Sequence, residues 1–373
     1  MSKVQKKNHH IISIAKPVFG KEEQKEIAKV LNSGMVAQGE WVNKFESEFA
    51  KYIGTKYAVQ TTSGTTALHL ALLSLGIGKG DEVITTPFTF VATSNAILYT
   101  GAKPVFVDIE EDTFNIDSNL IERKITKKTK AILLVHLYGC PVNMAKIKKV
   151  ANKHGLYIVE DAAQAHGAKF KGRKVGSIGD LGCFSFYATK NMTTGEGGMV
   201  TTNSFKLAQK MKALRNHGMM ELNYKYDFLG YNYCPTNISA ALGLVQLKKL
   251  DKLNAKRIKN AKYLSRNLKN VKGITLPTIP KNVTHVFHQF TIKINKDFSI
   301  SRDSFIEHLE KEGIKARVYY PLPLHKQKLY RDLGYKDNLP VVEKIAKEVL
   351  SIPVHPSLTK KDLSKIVKSF NLI

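Results

Sequence analysis

Short apolar segments alternate with helix-like stretches through the middle of the chain, and this alternation constrains the fold more than any other feature. Six of the segments have the character of strands, at residues 83–86, 104–107, 131–135, 156–160, 184–187 and 199–202. Several are apolar at nearly every position, as strands are when helices cover both faces of a sheet. The alternation therefore predicts an α/β domain built on a mostly parallel sheet.

The character of the sequence changes after Leu250. An apolar helix-like stretch at residues 238–250 is followed by a basic one at residues 251–268 and by the proline-containing connection "VKGITLPTIPKN". An alternating strand, "VFHQFTIKI", a helix, the strand-like "KARVYY" and a final helix complete the chain. We predict a large α/β domain with an N-terminal arm at residues 1–250 and a smaller α+β domain at residues 251–373.

The chain is strongly basic, with 58 lysine and arginine residues against 31 aspartate and glutamate residues and a net charge of +27. Most of the basic residues are lysines, and they are scattered along the chain. A solvated surface is the simplest interpretation of this pattern, and electrostatic steering of an anionic substrate is the alternative. No motif indicates nucleic-acid binding, which typically concentrates arginine and interleaves aromatic residues.

Composition also bears on the compartment and on metals. No apolar run approaches the roughly 20 residues of a membrane span, and the first residues lack the apolar core and cleavage site of a signal peptide. The three cysteines lack C-x-x-C spacing, so a reducing cytoplasm is the expected setting, without a membrane or nucleic-acid partner. We expect no metal site, because His285 and His288 lie in an alternating strand and have no carboxylate or cysteine to complete a ligand set.

The segment "TTSGTTALHLALLSLG", which begins at Thr61, has the pattern of a phosphate-binding helix start. Ser63 is a candidate N-cap, and the backbone N–H groups of Gly64, Thr65 and Thr66 would then point toward an anion. The same pattern also suits a well-capped core helix that binds nothing.

Two charged groups follow predicted strands farther along the chain. Glu160 and Asp161 end the segment "GLYIVED", where an acid either holds a cationic ring nitrogen or caps a helix. Lys190 comes 29 residues after Asp161 in "FSFYATKNMTTGEGG", and a buried amine loses its proton readily, as a Schiff-base lysine must. A phosphate cradle, a strand-end acid and a strand-end lysine in this order predict a site for pyridoxal 5′-phosphate (PLP).

Six segments then occur in one order along the chain: "SGTTALHLAL", "PFTFVATSNAI", "VEDAAQAHGA", "FSFYATKN…GEGGMV", "GYNYCPTNISAALGLVQL" and "YYPLPLHKQ". In this order they resemble the DegT/DnrJ/EryC1/StrS sugar aminotransferases over nearly the whole chain. The resemblance implies a fold-type I PLP-transferase with a mostly parallel seven-stranded sheet, working as a homodimer. It also implies transfer of an amino group from L-glutamate, which leaves as 2-oxoglutarate, to a nucleotide-linked keto-sugar.

The resemblance implies roles for individual residues as well. Lys190 is similar to the family's Schiff-base lysine, Asp161 to the partner of its pyridinium nitrogen, and Gln164 to the residue near the ring hydroxyl. Further implied cofactor contacts are a phosphate site and a stacked aromatic ring, which correspond to Gly64, Thr65, Ser185 and Phe90. One branch of the family carries histidine in place of the lysine and dehydrates sugars, so Lys190 favours the transaminases.

Asn232, in "GYNYCPTN", resembles the asparagine that reaches the phosphate bound by the neighbouring subunit, which would make each active site composite. A turn asparagine between two tyrosines is the alternative. Cys234 stands where many family members carry arginine. Tyr320 and His325, in "YYPLPLHKQ", match a segment that lies near the sugar in the family.

Two other functions compete with the aminotransferase. A PLP-dependent dehydratase or lyase on the same fold would not need glutamate, whereas an aminotransferase requires it. A non-enzymatic regulatory or binding protein that exploits the positive charge would bind nucleic acid weakly and with strong salt dependence. The presence of both Asp161 and Lys190 argues against the binding protein.

Overall fold

A computed structural model describes residues 10–221 and 224–371. Its strands are β1 (Tyr57–Thr61), β2 (Glu82–Thr85), β3 (Lys103–Phe106), β4 (Thr129–Val135), β5 (Tyr157–Asp161), β6 (Lys169–Phe170), β7 (Arg173–Lys174), β8 (Leu181–Ser185), β9 (Gly198–Thr202), β10 (Ile274–Thr275), β11 (Val283–Thr284), β12 (Phe290–Ile294) and β13 (Val349–Ile352). Its α-helices are α1 (Lys21–Ser33), α2 (Glu40–Ile53), α3 (Gly64–Ser74), α4 (Ala92–Tyr99), α5 (Met144–His154), α6 (Phe205–Arg215), α7 (Asn237–Leu268), α8 (Arg302–Lys311), α9 (Lys328–Asp332), α10 (Pro340–Glu348) and α11 (Lys360–Asn371). Within these two ranges, no helix combines the length and the apolar character needed to cross a membrane.

Seven strands form the central sheet, in the order β1-β9-β8-β5-β4-β2-β3. Strands β8, β5, β4, β2 and β3 run parallel, and β9 is antiparallel to both of its neighbours. The predicted mostly parallel, seven-stranded sheet is thereby confirmed. Val135 at the end of β4 lies opposite Asp161 at the end of β5, so residues that follow these strands meet at one edge of the sheet.

Helices bury both faces of this sheet, and alternate residues of β4 contribute to the two sides. Leu133 belongs to a buried cluster that includes Leu70 of α3, whereas Ile132 belongs to a second cluster that includes Ile147 of α5. A strand covered on both faces has no position for a polar side chain, which explains why the sequence of β4 is almost uniformly apolar.

Two strands of the central sheet depart from the sequence prediction. The strand predicted at residues 184–187 is β8, three residues earlier, where a Cβ on Gly182 would lie 2.4 Å from the Cα of Gly176. Glycine allows this close backbone approach. Because glycine is unfavourable inside a strand, the sequence pattern does not indicate where β8 begins. Strand β1 was not predicted, because its buried Gln60 breaks the apolar pattern; the Gln60 N–H donates to Oε1 of Glu46 at 2.9 Å.

The two helices predicted at residues 238–250 and 251–268 are one continuous helix, α7, of 32 residues. It packs tightly on α2, where a Cβ at Gly243 would lie 2.5 Å from Cζ of Phe45. Because α7 runs through residue 250, the proposed domain boundary falls inside a helix, and the division into residues 1–250 and 251–373 remains a prediction.

The C-terminal part combines a three-stranded antiparallel sheet, in the order β10-β12-β13, with helices α8 and α11. Phe290 and Ile292 of β12 share a buried cluster with Phe305 of α8 and Ile366 of α11. The α+β arrangement is the predicted one, but its strands differ: residues 315–320, predicted as a strand, form only an isolated bridge between Arg317 and Ser351, and β13 was not predicted. Strand β11 pairs with β6, and the segment between β11 and β12 leads back toward the central sheet.

Candidate active site

A cavity of about 800 Å³ opens where the central strands end. Its walls come from the segments that follow β1, β2, β4, β5 and β8 and from two segments of the C-terminal part. Eight of the predicted site residues line it: Gly64, Thr65, Phe90, Asp161, Gln164, Ser185, Lys190 and Tyr320. The structure therefore brings together residues that are up to 256 positions apart in the sequence.

The start of α3 forms one wall of the cavity. Ser63 is the N-cap, as predicted, and its Oγ accepts the N–H of Thr66 at 3.1 Å. The N–H groups of Gly64 and Thr65 belong to the first turn, which leaves them without acceptors within the helix. A Cβ on Gly64 would lie 2.6 Å from Cβ of Ser185, so glycine is required for this helix start to meet the end of β8. The free amides form a cradle suited to a phosphate group.

Asp161, at the end of β5, is 5% exposed. Its Oδ2 accepts the hydroxyl of Thr93 at 2.8 Å, and its Oδ1 accepts the N–H of Ala163 at 3.1 Å. Burial raises the pKa of Asp161, whereas these hydrogen bonds and the charge of Lys190 lower it. An additional N–H⁺ donor beside the carboxylate would stabilise its charged form, and a protonated ring nitrogen is such a donor.

Glu160 has a structural role, although it lies next to Asp161 in the sequence. It is fully buried and accepts three backbone N–H groups from the loop Gly176–Gly179, at 2.6 to 2.9 Å. His136 Nε2 lies 3.0 Å from the same carboxylate. Burial raises the pKa of Glu160, but these bonds outweigh it and the net direction is downward. With its acceptor sites filled, Glu160 fixes a loop.

Lys190 lies in the loop between β8 and β9. Its backbone N–H donates to the carbonyl of Tyr187 at 2.9 Å, and both Thr193 and Thr194 donate to the carbonyl of Phe186 at 2.8 and 2.9 Å. Burial lowers the pKa of the Lys190 amine to about 8, and the charge of Asp161 acts in the opposite direction. A sizeable fraction of this amine is therefore neutral near neutral pH and able to act as a nucleophile or base.

Gln164 is held by hydrogen bonds at both ends of its amide. Its Oε1 accepts the N–H of Tyr138 at 2.8 Å, and its Nε2 donates to the hydroxyl of Tyr320 at 3.2 Å. The Tyr138 hydroxyl in turn donates to the carbonyl of Tyr319. These contacts join the segment after β5 to the C-terminal part and fix the position of Tyr320 in the cavity wall.

Phe90 lies at the mouth of the cavity, with 57% of its surface exposed. It lies two residues before the start of α4, and its carbonyl accepts the N–H of Thr93 at 3.2 Å. An exposed aromatic side chain in a cavity wall is available to stack on a bound ring. The predicted stacking role has the geometry that it requires, and it remains a prediction.

The other two predicted residues do not line the cavity. Asn232 is exposed and forms a backbone bridge with Asn216. His325 is 1% exposed, and its Nε2 lies 3.0 Å from Oε1 of Glu343, in a hydrophobic cluster region beside Phe106. Within one chain, the structure therefore gives neither residue direct access to the site.

The residues that line the cavity fit PLP. The amides of Gly64 and Thr65 are suited to bind its phosphate, and the buried Asp161 is suited to pair with its ring nitrogen. The Lys190 amine is suited to react with its aldehyde. Thr93, Tyr138 and His288 also line the cavity but were not predicted as site residues. The segment "PFTFVATSNAI", which contains Thr93, is part of the family resemblance, but nothing in its sequence indicates a role for the Thr93 hydroxyl.

Among the described residues, no group of three or more histidine, cysteine, aspartate or glutamate side chains is arranged to bind a metal ion. The three cysteines are free, and Cys140 and Cys183 are buried. Burial raises the pKa of Cys140 to about 12, so its thiol stays protonated at neutral pH.

The chain resembles proteins of known activity along nearly its whole length. The profile of the DegT/DnrJ/EryC1/StrS aminotransferase family matches residues 17–371. The chain is 39% identical to a GDP-perosamine synthase of Caulobacter vibrioides, over 97% of this chain and 98% of that one. It is 42% identical to a UDP-N-acetyl-3-dehydro-alpha-D-glucosamine 3-aminotransferase of Acidithiobacillus ferrooxidans, over 91% and 90%. The structure of Helicobacter pylori PseC, an aminotransferase of pseudoaminic acid biosynthesis, superimposes with a TM-score of 0.92 at 33% identity, over 97% of this chain and 99% of that one.

Proposed function

The chain belongs to the DegT/DnrJ/EryC1/StrS aminotransferase family, and we propose that it transfers the amino group of L-glutamate to a nucleotide-linked keto-sugar. It is a PLP-dependent aminotransferase whose relatives act on sugars. The observation that carries the proposal is the meeting of Asp161, Lys190 and the α3 amides in one cavity. The product would be an amino-sugar nucleotide for the biosynthesis of a surface polysaccharide or another glycan.

Each part of the cavity has a task in this reaction. When bound, PLP supplies an electron sink for the carbanion that forms when a proton leaves the amino donor. The amides at the start of α3 hold the phosphate, and the carboxylate of Asp161 holds a proton on the ring nitrogen. Nζ of Lys190 would take the proton from the α-carbon of the donor and deliver it to the former aldehyde carbon of PLP, on the far side of the bridging nitrogen. The reverse sequence of proton transfers delivers the amino group to the keto-sugar.

The proposed substrate class rests on the relatives and on charge. GDP-perosamine synthase and the UDP-linked 3-aminotransferase carry different nucleotides in their names, so the nucleotide of this substrate is left open between GDP, UDP and dTDP. The net charge of +27 would attract a sugar linked to a diphosphate. We place the reaction in the cytoplasm, where thiols such as the three free cysteines stay reduced.

The proposal includes a homodimer with composite sites. Asn232 lies outside the cavity of its own chain, between Tyr231 and Tyr233, whose stacked rings both contact His69 of α3. The same His69 ring contacts Tyr99, which is 58% exposed. This partly exposed aromatic cluster adjoins α3, the helix whose start forms the cradle. A second copy that packs on it would bring its own Asn232 toward the phosphate.

A two-stage experiment tests the function. Mixing the PLP-loaded protein with L-glutamate alone should release one equivalent of 2-oxoglutarate per site and leave the pyridoxamine form. A panel of keto-sugars linked to GDP, UDP or dTDP is then added, and the return of the PLP form identifies the substrate. Lys190→Ala is the matched control and should release no 2-oxoglutarate. Turnover of a sugar nucleotide without glutamate would instead support the dehydratase or lyase.

A further inference from the structure

His288 lines the cavity with Lys190 but has no part in the proton transfers described above. It is 6% exposed and lies just before β12, on the C-terminal side of the site. The sequence pattern argues against a metal ligand at His288 and assigns this residue no other role. Its surroundings instead specify which of its two ring nitrogens carries the proton.

A chain of hydrogen bonds runs from His288 to a backbone carbonyl. Nδ1 of His288 lies 3.2 Å from Oδ1 of Asn191, and Nδ2 of Asn191 donates to Oδ1 of Asn254 at 2.8 Å. Nδ2 of Asn254 donates to the carbonyl of His166 at 2.8 Å. Nδ2 of Asn191 has a second acceptor, the carbonyl of Val286, at 3.3 Å.

The two carbonyls set the direction of the whole chain, because a carbonyl only accepts. Asn254 must turn its NH₂ group toward His166, so its Oδ1 faces Asn191 and accepts. Asn191 must then turn its own NH₂ group toward Asn254, and its Oδ1 faces His288. The proton between Asn191 and His288 therefore belongs to Nδ1 of the histidine, and Nε2 carries a lone pair.

Burial and nearby positive charge keep the His288 ring neutral. Lys190 and Arg257 supply the positive charge, whereas His166 is itself neutral at neutral pH because burial lowers its pKa to about 3. Burial is the largest effect on the pKa of His288, which lies well below 6.5, and the neighbouring positive groups lower it further. A neutral ring with a proton on Nδ1 is a hydrogen-bond acceptor at Nε2.

Several other acceptors in the buried part of the cavity are already engaged. Both oxygens of Asp161 already accept hydrogen bonds, from Thr93 and Ala163, and Oε1 of Gln164 accepts from Tyr138. Hydroxyl and ammonium groups of an incoming substrate must exchange water for an acceptor in the protein, or lose binding free energy.

We propose that His288 binds substrate, with Nε2 accepting a hydrogen bond from an O–H or N–H group, while Asn191 and Asn254 hold it in the Nδ1–H tautomer. The group that donates this hydrogen bond is either a hydroxyl of the sugar or the ammonium of the amino donor. The identity of these substrates rests on the proposed function, whereas the tautomer rests only on this chain of hydrogen bonds.

Two substitutions at His288 distinguish the contributions of its two ring nitrogens. The amide of His288→Asn reaches only the position of Nδ1, so this variant keeps the bond to Asn191 and loses the acceptor in the cavity. The amide of His288→Gln reaches the position of Nε2 and restores an acceptor there. We expect His288→Asn to raise KM by about tenfold for one substrate with a smaller change in kcat, and His288→Gln to lie closer to the wild type.

Measuring the two half-reactions separately identifies the substrate group that donates the hydrogen bond to Nε2. An increase in KM for glutamate assigns the ammonium of the amino donor, and an increase for the keto-sugar nucleotide assigns a hydroxyl of the sugar. Unchanged KM values for both substrates in His288→Asn would overturn the proposal, as would equal defects in the two variants. Thermal unfolding and PLP content establish that both variants are folded and loaded.

A measurement without turnover tests the tautomer itself. The protein is labelled with ¹⁵N in the histidine rings, and the signals of His288 are those missing from the His288→Gln spectrum. We expect a protonated Nδ1 and an unprotonated Nε2 at neutral pH. A proton on Nε2 would refute the inference, even in an active enzyme. If the wild type released no 2-oxoglutarate from glutamate, the proposed function would fail, and the tautomer would still be decided.

Discussion

The hydroxyl of Thr93 donates to Oδ2 of Asp161 across 2.8 Å, between two residues 68 positions apart in the sequence. Thr93 lies in the first turn of α4, and its own hydroxyl is 2.9 Å from that of Thr89. The bond restrains the orientation of the Asp161 carboxylate in the cavity wall. Thr93 is therefore a positioning residue for Asp161, and this role can be measured.

Replacing Thr93 by valine should shift the pH dependence of the enzyme. The hydrogen bond from Thr93 stabilises the carboxylate and so lowers the pKa of Asp161 against the effect of burial. Without this hydrogen bond the pKa of Asp161 rises further. The acidic limb of the plot of kcat/KM against pH should therefore move to higher pH, and kcat/KM should fall about tenfold at pH values below that limb. Thr93→Ser keeps the hydroxyl and should retain the wild-type profile. The profile of kcat/KM against pH is the measurement, and an unshifted limb in Thr93→Val would exclude the positioning role.

Asp161→Asn should reduce turnover by several orders of magnitude, because a neutral amide does not hold the proton on the ring nitrogen. In the protein without cofactor, the same substitution should leave thermal stability unchanged or raise it. Burial raises the pKa of Asp161 in the folded state, so its charged form costs stability as the pH rises through that pKa. Thermal unfolding of the cofactor-free variant near neutral pH should therefore occur at or above the wild-type temperature. Near-normal turnover would mean that Asp161 is only structural.

Lys190 should react with PLP at lower pH than an ordinary lysine. Its pKa of about 8 implies that half of the amine is neutral at that pH in the cofactor-free protein. Because the neutral amine is the nucleophile, the rate of cofactor uptake should rise through pH 8 and level off above it, well below the ordinary lysine value of 10.5. Absorbance changes after mixing report the rate. Borohydride reduction and peptide mapping should then find the label on Lys190, and a label on another lysine would refute the assignment.

Gly64→Ala should weaken PLP binding strongly. The added Cβ would lie 2.6 Å from Cβ of Ser185 and 3.2 Å from its Cα, so the start of α3 must move away from β8 and disturb the cradle. Gly78→Ala is the matched control, since its Cβ would meet only the carbonyl of Thr100 at 3.7 Å. Titration of both cofactor-free variants with PLP measures the difference. Equal affinities would show that the cradle tolerates a side chain at Gly64.

The sequence predicts those parts of the fold that have a local signal. Strand β4 is apolar at nearly every position and was placed within two residues. Strand β1 was missed because its buried Gln60 interrupts the apolar pattern, and the Glu46 carboxylate that accepts the Gln60 backbone N–H lies outside the strand. Lys190 and Asp161 follow strands and fit a known motif, so they were predicted as a pair. The roles of Thr93 and His288 depend on partners 68 and 97 positions away, and a threonine or histidine looks the same in the sequence with or without such a partner.

The last prediction concerns assembly, because Asn232 reaches a site only if a second chain is present. Asn232 is exposed and does not line the cavity of its own chain, whereas Lys190 does. If each site combines Lys190 of one chain with Asn232 of the other, a mixed dimer of Lys190→Ala and Asn232→Ala has one site with both changes and one with neither. Mixing the two inactive variants should then restore activity to about half of the wild type per mixed dimer.

The matched control for this experiment is a mixture of Lys190→Ala and Asp161→Asn. These two residues line the same cavity of one chain, so every site of their mixed dimer keeps one defect and no activity should return. Subunit exchange is verified with differently tagged chains, and Asn232→Ala alone must lose most of its activity. Recovery with Asn232→Ala but not with Asp161→Asn would place the two site halves on different subunits. If neither mixture recovers although exchange is complete, Asn232 acts within its own chain and the composite site is wrong.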